Sequence, residues 1–319
     1  MTPVADNRGM NFSILLFGAS LMGLGGVLVR LAGQSGVGPF GSAFWRMALA
    51  SIVLVAWTLW RHLRDVRRSA PPSEVDAEIE PGPEPPPILP TWFSAWSRPA
   101  LISLAAAMFA GDLILYHLGL FWTTVANATL ESNLAPVVIT IALWALTGVV
   151  PGPRFLMGMA VALLGAMIMI GAHFGHGTAL LGDVCGVTSA LFYAAYQLAV
   201  QQARQRLGTL SLMAWISSGA ALALLPFALG EGRMFPVSHL GWLWLAGLAL
   251  VVQIGGQVVV AHAIKHLDSH LASVGLLMQP ATAAVYAWII LGQAMSPTQL
   301  GGAAFALVGI YLARSARSS

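Results

Sequence analysis

The sequence predicts an all-α integral membrane protein of ten transmembrane helices, arranged as two five-helix repeats of inverted topology. Three observations predict this fold: the apolar composition, the distribution of basic residues, and an internal repeat. Of the 319 residues, 57% are hydrophobic and 8% are charged, and the mean hydropathy is +0.78. Soluble domains carry about 25% charged residues, so the surface of this chain is suited to lipid rather than water.

Apolar segments of the length that crosses a bilayer, about 20 residues, recur from one end of the chain to the other. The first follows Arg8, is long for the core of a signal peptide and precedes no clear cleavage site, so we expect it to be a retained span. The ten predicted spans are 12–31, 38–60, 99–121, 124–147, 154–173, 179–200, 209–229, 238–261, 268–291 and 298–315.

Basic residues concentrate on one side of this predicted topology. With ten spans both termini share a side, and the other side holds only Arg233. Because Lys and Arg accumulate in cytoplasmic loops, both termini are predicted to be cytoplasmic. The basic residues on the side of the termini are Arg8, Arg61, Arg64, Arg67, Arg68, Arg98, Arg154, Arg204, Arg206, Lys265, Arg314 and Arg317.

The segment 61–98 differs in composition from the rest of the chain. It contains EVDAEIEPGPEPPP, which is rich in proline and acidic residues and poor in aliphatic residues. Such a composition cannot bury enough apolar surface to fold. We predict a disordered cytoplasmic linker. The alternative is a docking or regulatory segment, which would suit a membrane scaffold or receptor that does not transport.

An internal repeat relates residues that lie 144 positions apart. Ten identities occur over thirty ungapped positions, and they include the pairs Pro136/Pro280, Trp144/Trp288 and Gly148/Gly292. Shared apolar composition does not account for paired Trp, Pro and Gly residues. The repeat predicts two halves, 12–173 and 179–315. Because each half has five spans, the halves enter the membrane from opposite sides, which is typical of secondary transporters with a substrate site between the halves.

The repeated segments resemble the EamA-type branch of the drug/metabolite transporter superfamily. The resemblance is carried by ATLESNLAPVVITIALWALTG and ASVGLLMQPATAAVYAWIILGQ, and each is followed by a helix rich in Gly and Ala. The stretch DLILYHLGLFWTT is similar to aromatic amino acid exporters of bacterial inner membranes. The resemblance implies a ten-helix exporter of small organic molecules in that membrane, with aromatic or neutral amino acids as substrates.

Polar residues within the spans are the candidates for substrate binding, because ionisable groups inside a membrane usually face a cavity or a partner. The pairs Asp112/Tyr116 and Asn127/Glu131 each share a helix face, and the short turn between their spans predicts one polar pocket. The full candidate set is Arg46, Asp112, Tyr116, His117, Asn127, Glu131, Tyr193, Tyr196, Gln197, Gln253 and Gln257. Pro136 and Pro280 are predicted to kink their helices, since proline removes a backbone donor.

Each of these candidates also has a structural interpretation. Asp112 or Glu131 could pair with Arg46 as a bond between helices, Glu131 could stay protonated, and His117 could lie at the lipid headgroups. Gln253 and Gln257 could bond neighbouring helices. Asp183 follows Gly182 at the start of a span, and we expect it to cap that helix.

The predicted substrate is a small amphipathic metabolite, and a second possibility is another metabolite or a cationic drug. A substrate ammonium would meet Glu131, Asp112 or a tyrosine ring, and its carboxylate would meet Arg46, a helix N-terminus or an amide. No phosphate-binding loop, dinucleotide fingerprint or metal-ligand pattern occurs in the sequence. We therefore expect no cofactor, no metal, no nucleic-acid partner and no enzymatic activity.

Overall fold

The structure, a computed structural model, describes residues 8–68, 96–148, 152–171, 178–204, 209–264, 275–276 and 278–315. Every element within these ranges is helical. The elements are α1 (Arg8–Gln34), α2 (Pro39–Arg68), α3 (Arg98–Trp122), α4 (Val125–Ser132), α5 (Ala135–Thr147), α6 (Pro153–Gly171), α7 (Thr178–Arg204), α8 (Thr209–Gly230), α9 (His239–Gly247), a π-helical segment (Leu248–Gly256), α10 (Gln257–Ile264), α11 (Met278–Leu291) and α12 (Pro297–Ser315).

Seven helical stretches of the described chain are long and apolar enough to cross a membrane. They coincide with the first four predicted spans and with the sixth to eighth. Three shorter apolar helices, Pro153–Gly165, Met278–Leu291 and Pro297–Leu312, lie on the fifth, ninth and tenth predicted spans. The all-helical membrane fold predicted from composition is therefore confirmed, while the number of crossings stays a prediction.

The second helix extends further than the sequence predicted. Helix α2 continues to Arg68, eight residues into the predicted linker. The Arg64 guanidinium lies 5.1 Å from the centroid of the Trp60 ring, and this cation–π contact accompanies the helical continuation. Residues 69–95 of the predicted linker lie outside the described residues, and its last residue, Arg98, begins α3.

The fourth predicted span is divided into two helices at Asn133–Leu134. Helix α4 ends at Ser132, and Pro136 is the second residue of α5. A proline ring clashes with the carbonyl four residues earlier, which here belongs to Ser132, so the interruption precedes Pro136. The Asn133 side-chain amide donates to the Thr129 carbonyl at 2.7 Å and satisfies an acceptor near the broken end. Pro280 lies in α11 near its first described residue, Met278, and residues 275–276 are helical as well.

Helices α6 and α12 contact each other through equivalent residues of the two repeats. A Cβ atom added to Gly165 would lie 2.3 Å from the Ala306 nitrogen and 2.6 Å from the Gly302 oxygen. A Cβ atom added to Gly309 would lie 2.1 Å from the Ala162 nitrogen and 2.7 Å from the Gly158 oxygen. The 144-residue offset exchanges these two sets of atoms. The contact is therefore reciprocal, and small residues allow the two backbones to touch.

Another pair of repeated residues ends equivalent helices. Gly148 follows α5 with φ +69°, and Gly292 follows α11 with φ +67°. Their backbone N–H groups donate to the carbonyls of Trp144 and Trp288, at 2.8 and 3.1 Å. Glycine adopts this left-handed conformation without a Cβ penalty and satisfies the last carbonyls of a helix. The Trp–Gly identity of the repeat thus corresponds to a helix C-terminus in both halves.

Several other helix contacts also come in pairs. Helix α1 packs on the α9–α10 stretch and on α11, and α7 packs on α3 and on the α4–α5 stretch. Helices α2 and α8 pack on each other, as α6 and α12 do. In the repeat, α1 is equivalent to α7, α3 to the α9–α10 stretch, and the α4–α5 stretch to α11. Each contact of α1 therefore corresponds to one of α7, while the α2–α8 and α6–α12 contacts each join two equivalent helices.

The connection between α8 and α9, residues 231–238, closes over the start of α2. Glu231 Oε2 accepts from the Gly41 N–H at 3.0 Å, and Trp45 Nε1 donates to the Met234 carbonyl at 2.9 Å. Backbone bonds join Gly38 N to the Arg233 oxygen at 2.8 Å. These bonds hold the 231–238 connection against the start of α2 at this end of the bundle.

Stability of this closed connection is expected to depend on pH. Burial raises the pKa of Glu231 above its ordinary value, an effect that the Gly41 N–H and Arg233 partly offset. A raised pKa means that the closed form binds the proton more tightly than an open form. The closed form therefore gains stability below the ordinary carboxyl pKa and loses it as pH rises through the raised pKa.

Hydrogen exchange at Gly38 and Gly41, corrected for the intrinsic rate, should therefore show more protection at mildly acidic pH than at neutral pH. Glu231→Gln should remove this dependence. The same pH dependence in the variant would contradict the assignment to Glu231.

Candidate functional site

A buried arginine is surrounded by polar side chains from three other helical stretches. Arg46 lies in the second turn of α2 with 7% of its surface exposed, and its Nε donates to Gln253 Oε1 at 3.1 Å. The other groups that act electrostatically on the guanidinium are Asp112 and Tyr116 of α3 and Tyr193 and Tyr196 of α7. We call these six residues the Arg46 cluster.

The position of Gln253 depends on the π-helical segment. An α-helix places a new residue every 100° of rotation, whereas a π-helix adds a residue to each turn and shifts the following side chains. Gln253 lies within the π-helical segment and is 4% exposed. Gln257 begins α10 one turn later and is half-buried. The predicted glutamine pair is therefore split, and Gln253 is the member that reaches Arg46.

Asp112 bonds with a hydroxyl rather than directly with the arginine. Ser189 Oγ donates to Asp112 Oδ1 at 2.7 Å, and Ser189 also bonds with Ser132 Oγ at 3.1 Å. Arg46 interacts with Asp112 electrostatically. The carboxylate and the guanidinium thus lie on one side of the bundle without being fully satisfied by each other.

Aromatic rings form a stack beside these charges. The rings of Tyr193 and Tyr196 are 5.6 Å apart with an interplanar angle of 26°, and those of Phe109 and Tyr196 are 4.5 Å apart at 17°. Gln197 follows Tyr196 on α7 and is half-buried. Stacked rings offer an apolar face with a polar edge, which suits a planar apolar ligand group.

His117 is completely buried within the protein. Its Nδ1 bonds with Ser42 Oγ at 2.8 Å, and Nε2 has no hydrogen-bond partner among the described residues. The headgroup position considered from sequence does not describe this residue, because none of its surface is exposed. Tyr116, the preceding residue, bonds through its hydroxyl with Thr129 Oγ1 at 3.0 Å.

The pocket predicted around Asp112 and Glu131 is divided into two groups. Asn127 and Glu131 share one face of α4 and point to α7, whereas Thr129 points to Tyr116 of α3. The side chains of Asp112, Tyr116 and His117 therefore lie on the Arg46 side, and those of Asn127 and Glu131 lie elsewhere. Pairing of Glu131 with Arg46 is not what the structure shows, because the ionisable groups acting on Glu131 are Asp183 and Cys185.

Asp183 is a site residue that the sequence interpretation missed. Helix α7 begins at Thr178, so Asp183 lies in its second turn and does not cap it. Its carboxylate accepts hydrogen bonds from Thr123 Oγ1 and, at 3.4 Å, from Asn127 Nδ2. Glu131 faces the same helix, with its Oε2 against Gly186 one turn further on, and its carboxyl interacts electrostatically with Asp183. We call Glu131 and Asp183 the acid pair.

Two glycines of α7 make this arrangement sterically possible. A Cβ atom at Gly182 would lie 2.6 Å from the Thr123 nitrogen, and one at Gly186 would lie 2.2 Å from Glu131 Oε2. The spacing Gly182-x-x-x-Gly186 places both on one helix face, as in close helix–helix contacts of membranes. This spacing around an acidic residue was the sequence signal that could have identified Asp183.

Helices long and apolar enough to cross a bilayer indicate a multi-pass membrane protein. Its interior contains buried ionisable side chains. Residues 180–315, within the second predicted half, are similar to the EamA-like transporter family. This match agrees with the family resemblance seen in the sequence.

Two relatives and one solved structure cover most of the chain. An uncharacterized transporter of Archaeoglobus fulgidus is 25% identical over 307 residues, which are 94% of this chain and 96% of that protein. Another from the same organism is 26% identical over 71% of this chain and 81% of its own length. A crystal structure covering 96% of this chain and 97% of its own has a TM-score of 0.58 at 20% identity, which indicates a shared fold.

Proposed function

We propose that the protein is a secondary transporter that exports small zwitterionic metabolites, most suitably aromatic or neutral amino acids. The observation that carries the proposal is the Arg46 cluster: a buried guanidinium, a carboxylate and stacked tyrosines in the interior of a membrane protein. Buried charges in membranes mark transport pathways. The match to the EamA-like family and the relatives named transporters support the class.

Each part of the cluster matches one part of an amino acid. Arg46 would bind the substrate carboxylate, because a guanidinium presents two parallel donors to it. Asp112 would bind the substrate ammonium, and Ser189 would orient the carboxylate of Asp112. The Tyr193–Tyr196 stack would hold the side chain of the substrate. Gln253 orients Arg46, and Gln197, Gln257 and His117 complete the polar surroundings.

Ten crossings in two inverted repeats are part of the proposal. The reciprocal α6–α12 contact, the paired glycine C-caps and the paired helix contacts support it. The halves would be 12–173 and 179–315, with 61–98 as a cytoplasmic linker in the first, and their rocking would expose the Arg46 cluster alternately to each side. The kinks at Pro136 and Pro280 would lie at equivalent places in both.

Orientation in the membrane can be tested by cysteine labelling. In a Cys185→Ser background, Arg233→Cys should react with a membrane-impermeant maleimide added outside bacterial cells. Glu74→Cys in the linker should react only after permeabilisation, since both termini and the linker would be cytoplasmic. External labelling of the linker cysteine would overturn the inner-membrane orientation.

The substrate class can be tested with three ligands that differ by one charged group. The full-length protein in liposomes should exchange tritiated phenylalanine, and unlabelled phenylalanine should compete. Phenethylamine, which lacks the carboxylate, and phenylpropionate, which lacks the ammonium, should compete poorly. Equal competition by phenethylamine would favour a cationic drug, and no exchange of any neutral amino acid would contradict the proposed substrate.

A further inference from the structure

The acid pair has a proton balance that follows from its contacts. Two neighbouring carboxylates in a low-dielectric interior do not both ionise readily, since each like charge disfavours the other. Glu131 and Asp183 are 1% and 0% exposed. One proton is therefore shared between them in this arrangement.

The hydrogen-bond donors around the pair place that proton on Glu131. Asp183 accepts from Thr123 Oγ1 and from Asn127 Nδ2, and donors of this kind stabilise a charged carboxylate. Neither oxygen of Glu131 accepts a hydrogen bond from a donor among the described residues. The neutral, protonated acid is thus Glu131, and the charged acid is Asp183.

A cation reaches the surroundings of the acid pair through Thr123. Arg30 of α1 donates to the Thr123 carbonyl, so Thr123 separates the guanidinium from Asp183. Cys185 acts on Glu131 directly, but a thiol brings no positive charge. The other ionisable groups on the described elements packed against α4 are Arg8 on α1, Arg98, Asp112, Tyr116 and His117 on α3, Tyr193, Tyr196 and Arg204 on α7, and Tyr286 on α11.

The acid pair and the Arg46 cluster are connected through α7. Asp183 and Ser189 are six residues apart, about 9 Å along the helix axis, and Ser189 donates to Asp112. Ser132, which follows Glu131, bonds with the same Ser189 hydroxyl. A positive charge held at Asp112 would lower the cost of a second negative charge on the pair, because both sites share a low-dielectric interior.

We infer that Glu131 and Asp183 form a proton-binding site whose single proton is exchanged against substrate, which makes the transporter a proton antiporter. The inference rests on the proposed function for the identity of the substrate, but the proton site itself does not. In the substrate-free state the pair holds one proton and one negative charge. When an ammonium enters at Asp112, the Glu131 proton leaves to the compartment then open, and proton return accompanies substrate release.

The proton site can be tested without any substrate. Infrared difference spectra between acidic and alkaline samples of the full-length protein in lipid should contain the carbonyl band of a protonated carboxylic acid. Because other carboxylic acids, Glu231 among them, contribute to this spectral region, the Glu131 band is the component that Glu131→Gln removes and that Asp183→Asn shifts. Gly186→Ala keeps both acids but places a methyl group against Glu131 Oε2, so it should also shift the band. Absence of the band, or its persistence unchanged in Glu131→Gln, would overturn the site.

Coupling is then tested in liposomes with tritiated phenylalanine. A pH difference of about one unit should raise accumulation by about tenfold for one proton per substrate, since one unit corresponds to a tenfold ratio. In Glu131→Gln the ratio of accumulation with and without the gradient should fall to about one. Glu231→Gln, the matched change outside the bundle interior, should keep the wild-type ratio.

The outcomes separate the two proposals. The infrared band without phenylalanine transport would leave the proton site intact and reject the proposed substrate. Phenylalanine transport with an unchanged ratio in Glu131→Gln would support the function and reject the coupling. If Glu131→Gln proves unstable, the band shifts of Asp183→Asn and Gly186→Ala decide the site, and the accumulation ratio of Asp183→Asn decides the coupling.

Discussion

Replacement of Arg46 by glutamine is expected to reduce phenylalanine exchange by about a hundredfold. Arg46 is the cation of the cluster, and loss of a charge-assisted hydrogen bond of about 2.7 kcal/mol corresponds to that factor. Glutamine keeps a donor for Gln253 but cannot offer the charge or the two parallel N–H groups. The loss should appear as a higher half-saturation concentration for phenylalanine, with phenethylamine competing no worse than before.

A matched change tests whether charge alone accounts for the effect. Arg233→Gln removes an arginine whose side chain is 61% exposed and lies 3.8 Å from Glu231, and exposed ion pairs contribute little. Exchange by this variant should stay within about twofold of wild type. Arg46→Lys should recover part of the activity if the charge matters most. Wild-type exchange by Arg46→Gln would remove Arg46 from the binding site.

The second large effect is expected at the α6–α12 contact. Gly309→Ala would place a methyl group 2.1 Å from the Ala162 backbone nitrogen, and a backbone cannot move aside as a flexible side chain can. Overpacking costs about 1–3 kcal/mol, which exceeds the helix-propensity gain of about 1 kcal/mol for this exchange. The unfolding midpoint in detergent should fall, and Gly165→Ala should have the same effect by the reciprocal contact.

Helix α12 contains its own control. A Cβ atom at Gly301 would meet nothing within 4 Å, so Gly301→Ala should leave the midpoint unchanged or raise it through helix propensity. The difference in unfolding midpoint between the two alanine variants separates the effect of the α6–α12 contact from the effect of helix propensity. Equal midpoints for Gly301→Ala and Gly309→Ala would show that the two backbones are further apart than described.

The sequence predicted the membrane fold well because its signals are local. Apolar segment length and loop charge located the helices. The repeat marked Gly148 and Gly292, where both halves need a residue in the left-handed conformation. It also selected Arg46 and Asp112, since charges are conspicuous in an apolar chain. These features require no knowledge of how the helices cross.

What the sequence did not predict depends on helix crossing and local distortion. Helical spacing put Asn127 and Glu131 on one face, but it could not say that α7 rather than α3 covers that face. Asp183 was interpreted as a cap because it follows Gly182 near the start of the predicted span, but α7 begins at Thr178 and Asp183 lies inside the helix. The reach of Gln253 depends on a π-helical segment, whose extra residue per turn leaves no clear apolar pattern.

Glu131 and its repeat counterpart show how two related halves acquire different interiors. Glu131 fills the space left by Gly186, while Gly275, at the equivalent place in the second half, would have its Cβ 2.4 Å from Leu15 Cδ2. Both contacts are between the halves: in one the large side chain is on the fourth span and the glycine on the sixth, and in the other the large side chain is on the first span and the glycine on the ninth. Both crossings are closed by one large residue against one glycine. The two helix crossings therefore keep the same fit of a large side chain against a glycine, but the large side chain is an acid in one and a leucine in the other.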